Sequence, residues 1–540
     1  MRRRWPTIAS DRGASESRRD RAALIAFAAV VAGAFVYYLL LARRLWFFAD
    51  EWEFLSGRGA GVHDLLRAHY GHWIALPLLT YRALWWTVGL RSYLPYAGLA
   101  IALHLGVAIL LWLVMRRAQV RPWTASVAAS AFALFGAGAQ DILWAFQIAF
   151  TGALLLGLVQ LVLADHDGPL DVRDGLGLAA GTAALLCSGV AVTMVLVVGI
   201  ATLLRRSWRV AAVHCVPLVV VYTAWWLGAS RGKYASAGSL GQILRWCFTG
   251  AARTFGALGS VPGLGWLLAA VLVAGGVLAA RDSGWRVLRH DRAAPIAMLA
   301  GAGGFLVIAA LDRSGFGTAA ARAGRYLHVL AALVLPAIAV AIDALLSRWK
   351  VVGVLALALL LVGIPGNVLD ARNYTRRQRI VDDATRRIML TVPRDPLART
   401  APADLRPEPN RAPTVTLGWL RAGVASGRVP STRPPSPVEA ATNRLRLSLM
   451  ELDGRHDGAC QLLRTPVVLH LAQGDRVGIG GRTVVALLAG GRAISHPVVF
   501  GVGMLNPSLR HTLVAVAALT VRIVPGAPVG RLGTTLCRPT

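Results

Sequence analysis

The sequence predicts a polytopic α-helical membrane protein of about eleven spans, N-terminus inside, with a C-terminal extracytoplasmic β-rich domain of sandwich type. Three observations lead there. The chain is 56% hydrophobic over 540 residues, more apolar than a soluble domain of that size tends to be. Its first two thirds consist of apolar runs long enough to cross a bilayer, separated by short arginine-rich loops. From about residue 438 the pattern changes to β-branched runs punctuated by Gly, Asn and Pro.

Residues 1–21, MRRRWPTIASDRGASESRRDR, form a basic leader that the positive-inside rule keeps in the cytoplasm. Ala22–Leu41 is the first span. Its length and its YYLLLARR ending, without a small-residue cleavage pattern, argue against a signal peptide. Ten more spans follow: Pro95–Met115, Thr124–Phe135, Ile148–Leu163, Gly175–Cys187, Val190–Leu204, Ala211–Leu227, Val261–Ala280, Ala294–Leu311, Tyr326–Leu346 and Val351–Pro365. Alternating them places RRAQVR (116–121), RRSWR (205–209), RDSGWRVLRHDR (281–292) and SRWK (347–350) on the inside together. Gly175–Leu204 reads as two short helices broken at Ser188-Gly189, because a single helix would send the later basic loops outside.

The odd number of spans puts the remainder outside. Residues 366–437 comprise an arginine-rich exit helix, Asp370–Arg387, and a Pro-rich linker, Pro393–Pro437. Residues 438–540 form the β-rich domain, with strands expected in LRLSL (445–449), PVVLHL, RTVVALLAG, HPVVFGVGM and HTLVAVAALTVRIV. The last run, His511–Val524, is short for a twelfth span and is interrupted by Arg522. Five cysteines show no CxxC or zinc spacing, and Cys460 and Cys537 could form a disulfide if the tail is extracytoplasmic.

The formal charge of +30 rests on arginine, since Lys233 and Lys350 are the only lysines. That bias fits GC-rich bacterial coding. No basic, aromatic-interleaved domain stands apart from the apolar segments, so nucleic acid is excluded as a partner. Part of the charge faces anionic lipid headgroups.

The chemistry-bearing residues gather in the outer loops. The long first loop, 43–94, opens with FFADEWEFL, which places Asp50, Glu51 and Glu53 among aromatic residues. Phe47, Phe48, Trp52 and Phe54 are expected to hold the segment against the membrane interface. The rest of the loop, HDLLRAHYGHWIALPLLTYRALWWTVGL, reads as amphipathic interfacial helices carrying His63, His69 and His72, with no HExxH spacing for a catalytic metal. A second loop, GAGAQDILWAFQ, spaces Asp141, Trp144 and Gln147 by three. A third carries Arg231, Lys233 and Tyr234. The loop LDRSGFGTAAARAGRYLH supplies Asp312, Arg313, Arg322, Arg325 and Tyr326. A lone arginine at a membrane edge more often anchors a helix, and it is the combination that carries information. Carboxylates suit removal of a proton from a hydroxyl. Guanidinium groups suit a phosphate, which they bind in a bidentate, charge-assisted way.

On these residues the chain resembles the GT-C superfamily of integral-membrane glycosyltransferases, which includes protein O-mannosyltransferases, aminoarabinose transferases and mycobacterial arabinofuranosyltransferases. The matching features are ADEWEFL directly after the first span, RAGRYLHVLAALVLP opening a late span, and a C-terminal extracytoplasmic domain, over about the first 365 residues and the tail. No GxGxxG or P-loop lies in a strand–turn–helix context, which fits a lipid-linked donor. The resemblance implies a polyprenyl-phosphate sugar donor and an inverting hexosyl or pentosyl transfer to an envelope glycan, lipid or protein at the outer face of the plasma (inner) membrane. It implies Asp50 as general base and Glu51 as the group that orients the acceptor or assists a divalent cation, with Glu53 structural. Arg322 and Arg325 would stabilise the phosphate leaving group, with a hydrogen bond from Tyr326. His72, Asp141 and Gln147 would contact sugar or acceptor. A Mg²⁺ or Mn²⁺ would take oxygen ligands, and members of the superfamily differ in metal need. By analogy the β-rich tail binds acceptor glycan or a partner. The alternative reading is a transporter or flippase of a lipid-linked glycan, which predicts inverted repeats and ionisable groups near mid-membrane.

Overall fold

The computed structural model describes residues 8–230, 236–282, 284–453, 460–462, 465–479, 483–501, 511–525 and 535–537. Arg231, Lys233 and Tyr234 lie outside the described residues. The chain forms two compact units. One comprises Met1–Arg44, Gly61–Leu79 and Tyr96–Arg377, the other Leu45–Ala60, Thr80–Pro95 and Gln378–Thr540. The first outer loop is thus shared out, and the exit helix belongs to the first unit only as far as Arg377.

Among the described residues sixteen α-helices run as far as Thr391: α1 (Ile8–Ala42), α2 (Val62–Leu66), α3 (Ala75–Thr87), α4 (Leu94–Arg117), α5 (Pro122–Ala133), α6 (Ala139–Leu143), α7 (Ile148–Ala164), α8 (Val172–Leu185), α9 (Val190–Arg205), α10 (Trp208–Ala229), α11 (Leu240–Gly259), α12 (Leu264–Asp282), α13 (Trp285–His290), α14 (Ala293–Arg313), α15 (Gly324–Arg348) and α16 (Lys350–Thr391). Among the described residues nine helical stretches are long and apolar enough to cross a membrane, and α9 is apolar but shorter. Each of the eleven expected spans falls on a helix, α1, α4, α5, α7, α8, α9, α10, α12, α14, α15 and α16, but α8 is neither one of those nine stretches nor apolar like α9.

Residues 175–204 do break in two. Gly177 of α8 packs by Leu163 and Gly152 by Cys187, while Met194 of α9 packs on Gly157, so the chain climbs one way along α7 and returns. The basic loops meet at one end of the membrane unit. Arg116 reaches Asp20 (3.3 Å) and Arg205 reaches Asp165 (2.8 Å). His290 contacts Asp167 (2.8 Å), Arg289 donates to the Leu204 carbonyl, and Arg121 donates to Ser347.

Sequence reasoning missed α11. Its start is marked by a capping box, Ser239 with Gln242. Its first residues are tied to the C-terminal end of α14, where the Gly238 N–H donates to Ser314 Oγ and the Ser236 N–H to the Asp312 carbonyl. Its last turn is tied to α16 by Asn367, which donates to Ala257 O and Ser260 Oγ. Both anchors are remote from the basic end. The helix buries Trp246, Gly250, Thr254 and Leu258 at intervals of four and exposes Leu240, Leu244 and Phe248. At 20 residues α11 is long enough to cross a membrane, but it is not among the described helices that are also apolar enough to do so.

In the second unit α17 (Leu417–Ala425) and α18 (Pro437–Ser448) precede ten strands. LRLSL is not a strand. It falls almost wholly within α18, which a Ser436–Glu439 capping box and Pro437 start earlier than β-propensity suggested. The Pro-rich segment is packed rather than free, with Ala398, Ala401, Leu405 and Leu417 buried against Val392 and Leu447. The strands are β1 (Leu449–Asp453), β2 (Cys460–Leu462), β3 (Val467–Leu471), β4 (Arg476–Ile479), β5 (Thr483–Ala489), β6 (Arg492–Ala493), β7 (Val498–Phe500), β8 (His511–Ala515), β9 (Leu519–Pro525) and β10 (Thr535–Cys537). One sheet has the order β1-β8-β4 and another β3-β9-β5-β6, with β7 on β5, all antiparallel. Leu449, Val477 and Leu513 of the first share a core with Val485, Phe500, Val521 and Ile523 of the second, which is sandwich packing. The run 511–524 is therefore two strands. β2 and β10 pair in a register that sets Cys460 opposite Cys537.

Candidate active site

The acidic motif forms a tight turn in the second unit. Ala49 has φ 48°, left-handed backbone that costs an L-residue about 1–2 kcal/mol. Glu51 holds this turn. Its Oε2 accepts from the Phe48 N–H (2.7 Å), and its Oε1 accepts from Tyr81 (2.6 Å) and Tyr93 (3.2 Å). Glu51 is fully buried, whereas Asp50 is half-buried. Burial pushes the Glu51 carboxyl up to about 8, against the tyrosine and backbone hydrogen bonds and with a further contribution from Asp382. Phe47, Trp52 and Phe54 are also fully buried, Phe47 against Tyr93 (5.1 Å) and Phe54 against Tyr81 (5.4 Å). They are core residues and not the interface anchors that their apolarity suggested. Glu53 pairs with Arg58 at 2.7 Å.

In the membrane unit a cavity of about 270 Å³ opens among the first turns of α7, α9 and α15 and the last turns of α10 and α14. These helix ends are the ones remote from the basic loops. His72 and Tyr326 line it, with Tyr222, Trp226, Asp312 and Arg313. His72 is delivered by a two-residue hairpin. His69 and His72 exchange both backbone hydrogen bonds (3.0 and 2.9 Å), and the central residues Tyr70 (φ 46°) and Gly71 (φ 89°) give the positive-φ pair of a type I′ turn. Arg313 donates to Tyr70 O (3.3 Å) and Ser230 to Gly71 O (3.4 Å). Trp73 and Trp225 stack beside it at 5.1 Å, each donating its indole N–H to the end of α2. The Gly189 N–H donates to His72 Nδ1 (3.3 Å), and a Cβ on Gly189 would stand 2.8 Å from that nitrogen.

Burial, followed by the charges of Arg313, His69 and Arg325, pushes the His72 imidazole down to about 3. His72 is therefore neutral at physiological pH. With Nδ1 accepting, Nε2 carries the proton and can donate to a ligand oxygen. Arg325 stacks over Tyr326 at 5.0 Å.

The other expected site residues are dispersed. Arg322 lines a different cavity, of about 540 Å³, with Arg253 and Asp370. Asp141 is fully buried within 3.2 Å of His328 Nδ1, and His328 Nε2 meets His104 Nδ1 at 2.9 Å. Gln147 is buried at the head of α7 and lines neither cavity. Asp141 and Gln147 thus fill the protein interior, because the loop that carries them folds into the short helices between α5 and α7. Arg313, Tyr222 and Trp226 were the cavity residues that sequence reasoning left unassigned. The signal for Arg313 was its place beside Asp312 at the end of a span, and Tyr222 and Trp226 lie one helical turn apart.

Both Glu51 oxygens are engaged, by three donors, which argues against Glu51 as a ligand of a divalent cation. Among the described residues His166, Asp171 and Asp174 have metal-ligand spacing. Asp171 is taken by Arg173 and Asp174 by Arg206 and His214, which makes the group an ion-pair network.

No protein-family model matches the chain, and no curated protein matches it. It is similar to a solved structure described as the crystal structure of ArnT from Cupriavidus metallidurans bound to undecaprenyl phosphate. The identity is 16%, the match covers 78% of this chain and 88% of that chain, and the TM-score is 0.46. A likeness at that score says nothing about ligand or activity here.

Proposed function

We propose that the protein is a membrane glycosyltransferase that moves a sugar from a polyprenyl-phosphate donor to a cell-envelope acceptor on the outer face, with inversion. The observation that carries this reading is the cavity at the helix ends remote from the basic loops, which combines aromatic walls, Arg313 and a neutral hydrogen-bond donor at His72. Aromatic faces suit a sugar ring or a lipid's first isoprene unit. Arginine charge suits the phosphate on which negative charge grows during transfer.

In this reading the acceptor hydroxyl oxygen forms a bond to the anomeric carbon as the bond from that carbon to the phosphate oxygen breaks. The stereochemistry inverts, and the hydroxyl proton passes to the Asp50 carboxylate. Glu51 keeps Asp50 in place by fixing the turn. Arg325 and Arg313 stabilise the departing phosphate, while His72 and Tyr326 orient the donor. Whether a hexose or a pentose is moved depends on the fit of the cavity.

The basic end lies in the cytoplasm, so the C-terminal domain is extracytoplasmic. The backbone register of β2 and β10 sets Cys460 opposite Cys537, and a disulfide between them, which an oxidising compartment permits, is part of this proposal. Exported protein is expected to expose neither thiol to maleimide before reduction. Labelling of both thiols without reduction would contradict that placement.

A flippase is the second reading, favoured by the buried His104–His328–Asp141 chain inside the membrane unit. Purified protein in vesicles separates the two. A transferase converts polyprenyl-phosphate sugar to polyprenyl phosphate when acceptor is supplied. A flippase relocates the lipid between leaflets and leaves it intact.

A further inference from the structure

We propose that the C-terminal unit carries a second binding pocket, for an anionic saccharide: a sugar unit bearing a carboxylate or a phosphate. A cavity of about 520 Å³ lies among the last turns of α16, the segment Glu408–Arg411, α18 and the start of β7. That volume is within the usual range for a small-molecule site.

Its walls are made of ion pairs with one cation left over. Arg446 and Glu408 meet at 2.8 Å, with side chains 10% and 7% exposed. Arg387 and Glu439 meet at 3.2 Å. Arg411 also lines the cavity, and among the described residues it has neither an ion-pair nor a hydrogen-bond partner. Arg446 donates from Nη1 to Pro407 O (2.7 Å), while its Nε is buried with no partner. A buried guanidinium N–H without an acceptor is costly, and an anion in the cavity would satisfy it. Burial lowers the Arg446 affinity for its proton, Glu408 opposes this, and the neighbouring Arg411 charge adds to it. The two guanidinium groups therefore repel, and an anion between them would relieve the repulsion.

The remaining lining narrows the ligand class. Asn443 donates to Thr391 Oγ1 (3.0 Å) and Asn410 to Val499 O (2.6 Å), which fixes the walls. The carboxylates of Glu408 and Glu439 and the hydroxyl of Thr442 can accept from ligand hydroxyls. Among the described residues no Phe, Tyr or Trp lines the cavity, and its one aromatic ring is the His496 imidazole, so a neutral sugar has little face to stack on and the guanidinium groups dominate the lining. A hydroxyl-rich acid uses both the arginine surplus and the acceptors.

The pocket is argued independently of glycosyl transfer, and its test reads binding alone. The full-length protein in detergent is titrated calorimetrically with glucuronate, glucose 1-phosphate, inorganic phosphate and glucose. Glucuronate and glucose 1-phosphate are expected to bind at least about tenfold tighter than glucose, from one charge-assisted contact. Arg411→Ala should lose about that factor and Arg411→Lys should keep most of it. Arg411 holds no partner, so neither change should affect folding. Equal affinity for inorganic phosphate and glucose 1-phosphate would overturn the saccharide assignment. Unchanged glucuronate affinity in Arg411→Ala would overturn the pocket.

Discussion

Two turns in this protein are built alike and equipped in opposite ways. Phe48–Glu51 and His69–His72 each force a non-glycine residue, Ala49 or Tyr70, to positive φ. In the first, a buried carboxylate collects donors from Phe48, Tyr81 and Tyr93. In the second, donors from Arg313, Ser230 and Gly189 collect on the turn's carbonyls and on the imidazole. One turn concentrates carboxylates and leaves Asp50 half-buried. The other surrounds a neutral histidine with arginine charge. Strain of this kind persists only where the surroundings fix it. The proposed function gives proton acceptance to one turn and anion binding to the other, and the contrast between them is what that division rests on.

The largest expected effect comes from removing Asp50, the proposed proton acceptor. Asp50→Asn should lower transfer by about 10²–10⁴-fold, the usual weight of a general base, with abundance unchanged. Transfer within tenfold of wild type in a purified assay would remove Asp50 from that role.

Glu51 sharpens the comparison through pH. Its folded-state pKa is raised from 4.5 to about 8. The stability linked to its protonation is therefore fully present below pH 4.5 and lost as pH rises through 8. Wild-type protein should melt lower at pH 9 than at pH 5. Glu51→Gln, which stays neutral, should show a smaller decline and keep the tyrosine contacts. Identical pH dependence in the two proteins would contradict burial of an ionisable carboxyl.

The smallest effects concern backbone strain. Gly71→Ala adds a second non-glycine residue at positive φ and should destabilise by about 1–2 kcal/mol. Ala49→Gly removes one and should be neutral or mildly stabilising, because relief of strain is offset by about 0.5–1 kcal/mol of unfolded-chain entropy. Denaturant unfolding reads both. A clear loss in Ala49→Gly would mean that the turn is not strained.

The membrane unit was legible because its signal is long. Apolar runs and basic loops marked the helices, and the pairs Arg116–Asp20, Arg205–Asp165 and His290–Asp167 gather the basic loops at one end. α11 escaped because its buried residues recur every four while its outward face is also apolar, so it reads neither as a span nor as a surface helix. LRLSL misled because its leucine alternation outweighed the Ser436–Glu439 capping box six to nine residues upstream. At the site, His72 and Tyr326 were legible as polar groups at span edges, and both line the cavity. Arg322 and Arg325 are nearly adjacent in sequence, and one-dimensional spacing gave no means of separating them. The short helix before α15 turns Arg322 toward another cavity, while Arg325 lines neither and stacks over the Tyr326 ring. Asp141 looked like a loop carboxylate because its partner, His328, lies far along the chain.

Donor binding tests the division of labour most directly. Affinity for a polyprenyl-phosphate sugar, measured without acceptor, should be unchanged in Asp50→Asn. In Arg325→Ala it should fall by about tenfold or more, the weight of one charge-assisted phosphate contact. Loss of donor affinity in Asp50→Asn together with retention in Arg325→Ala would contradict the account.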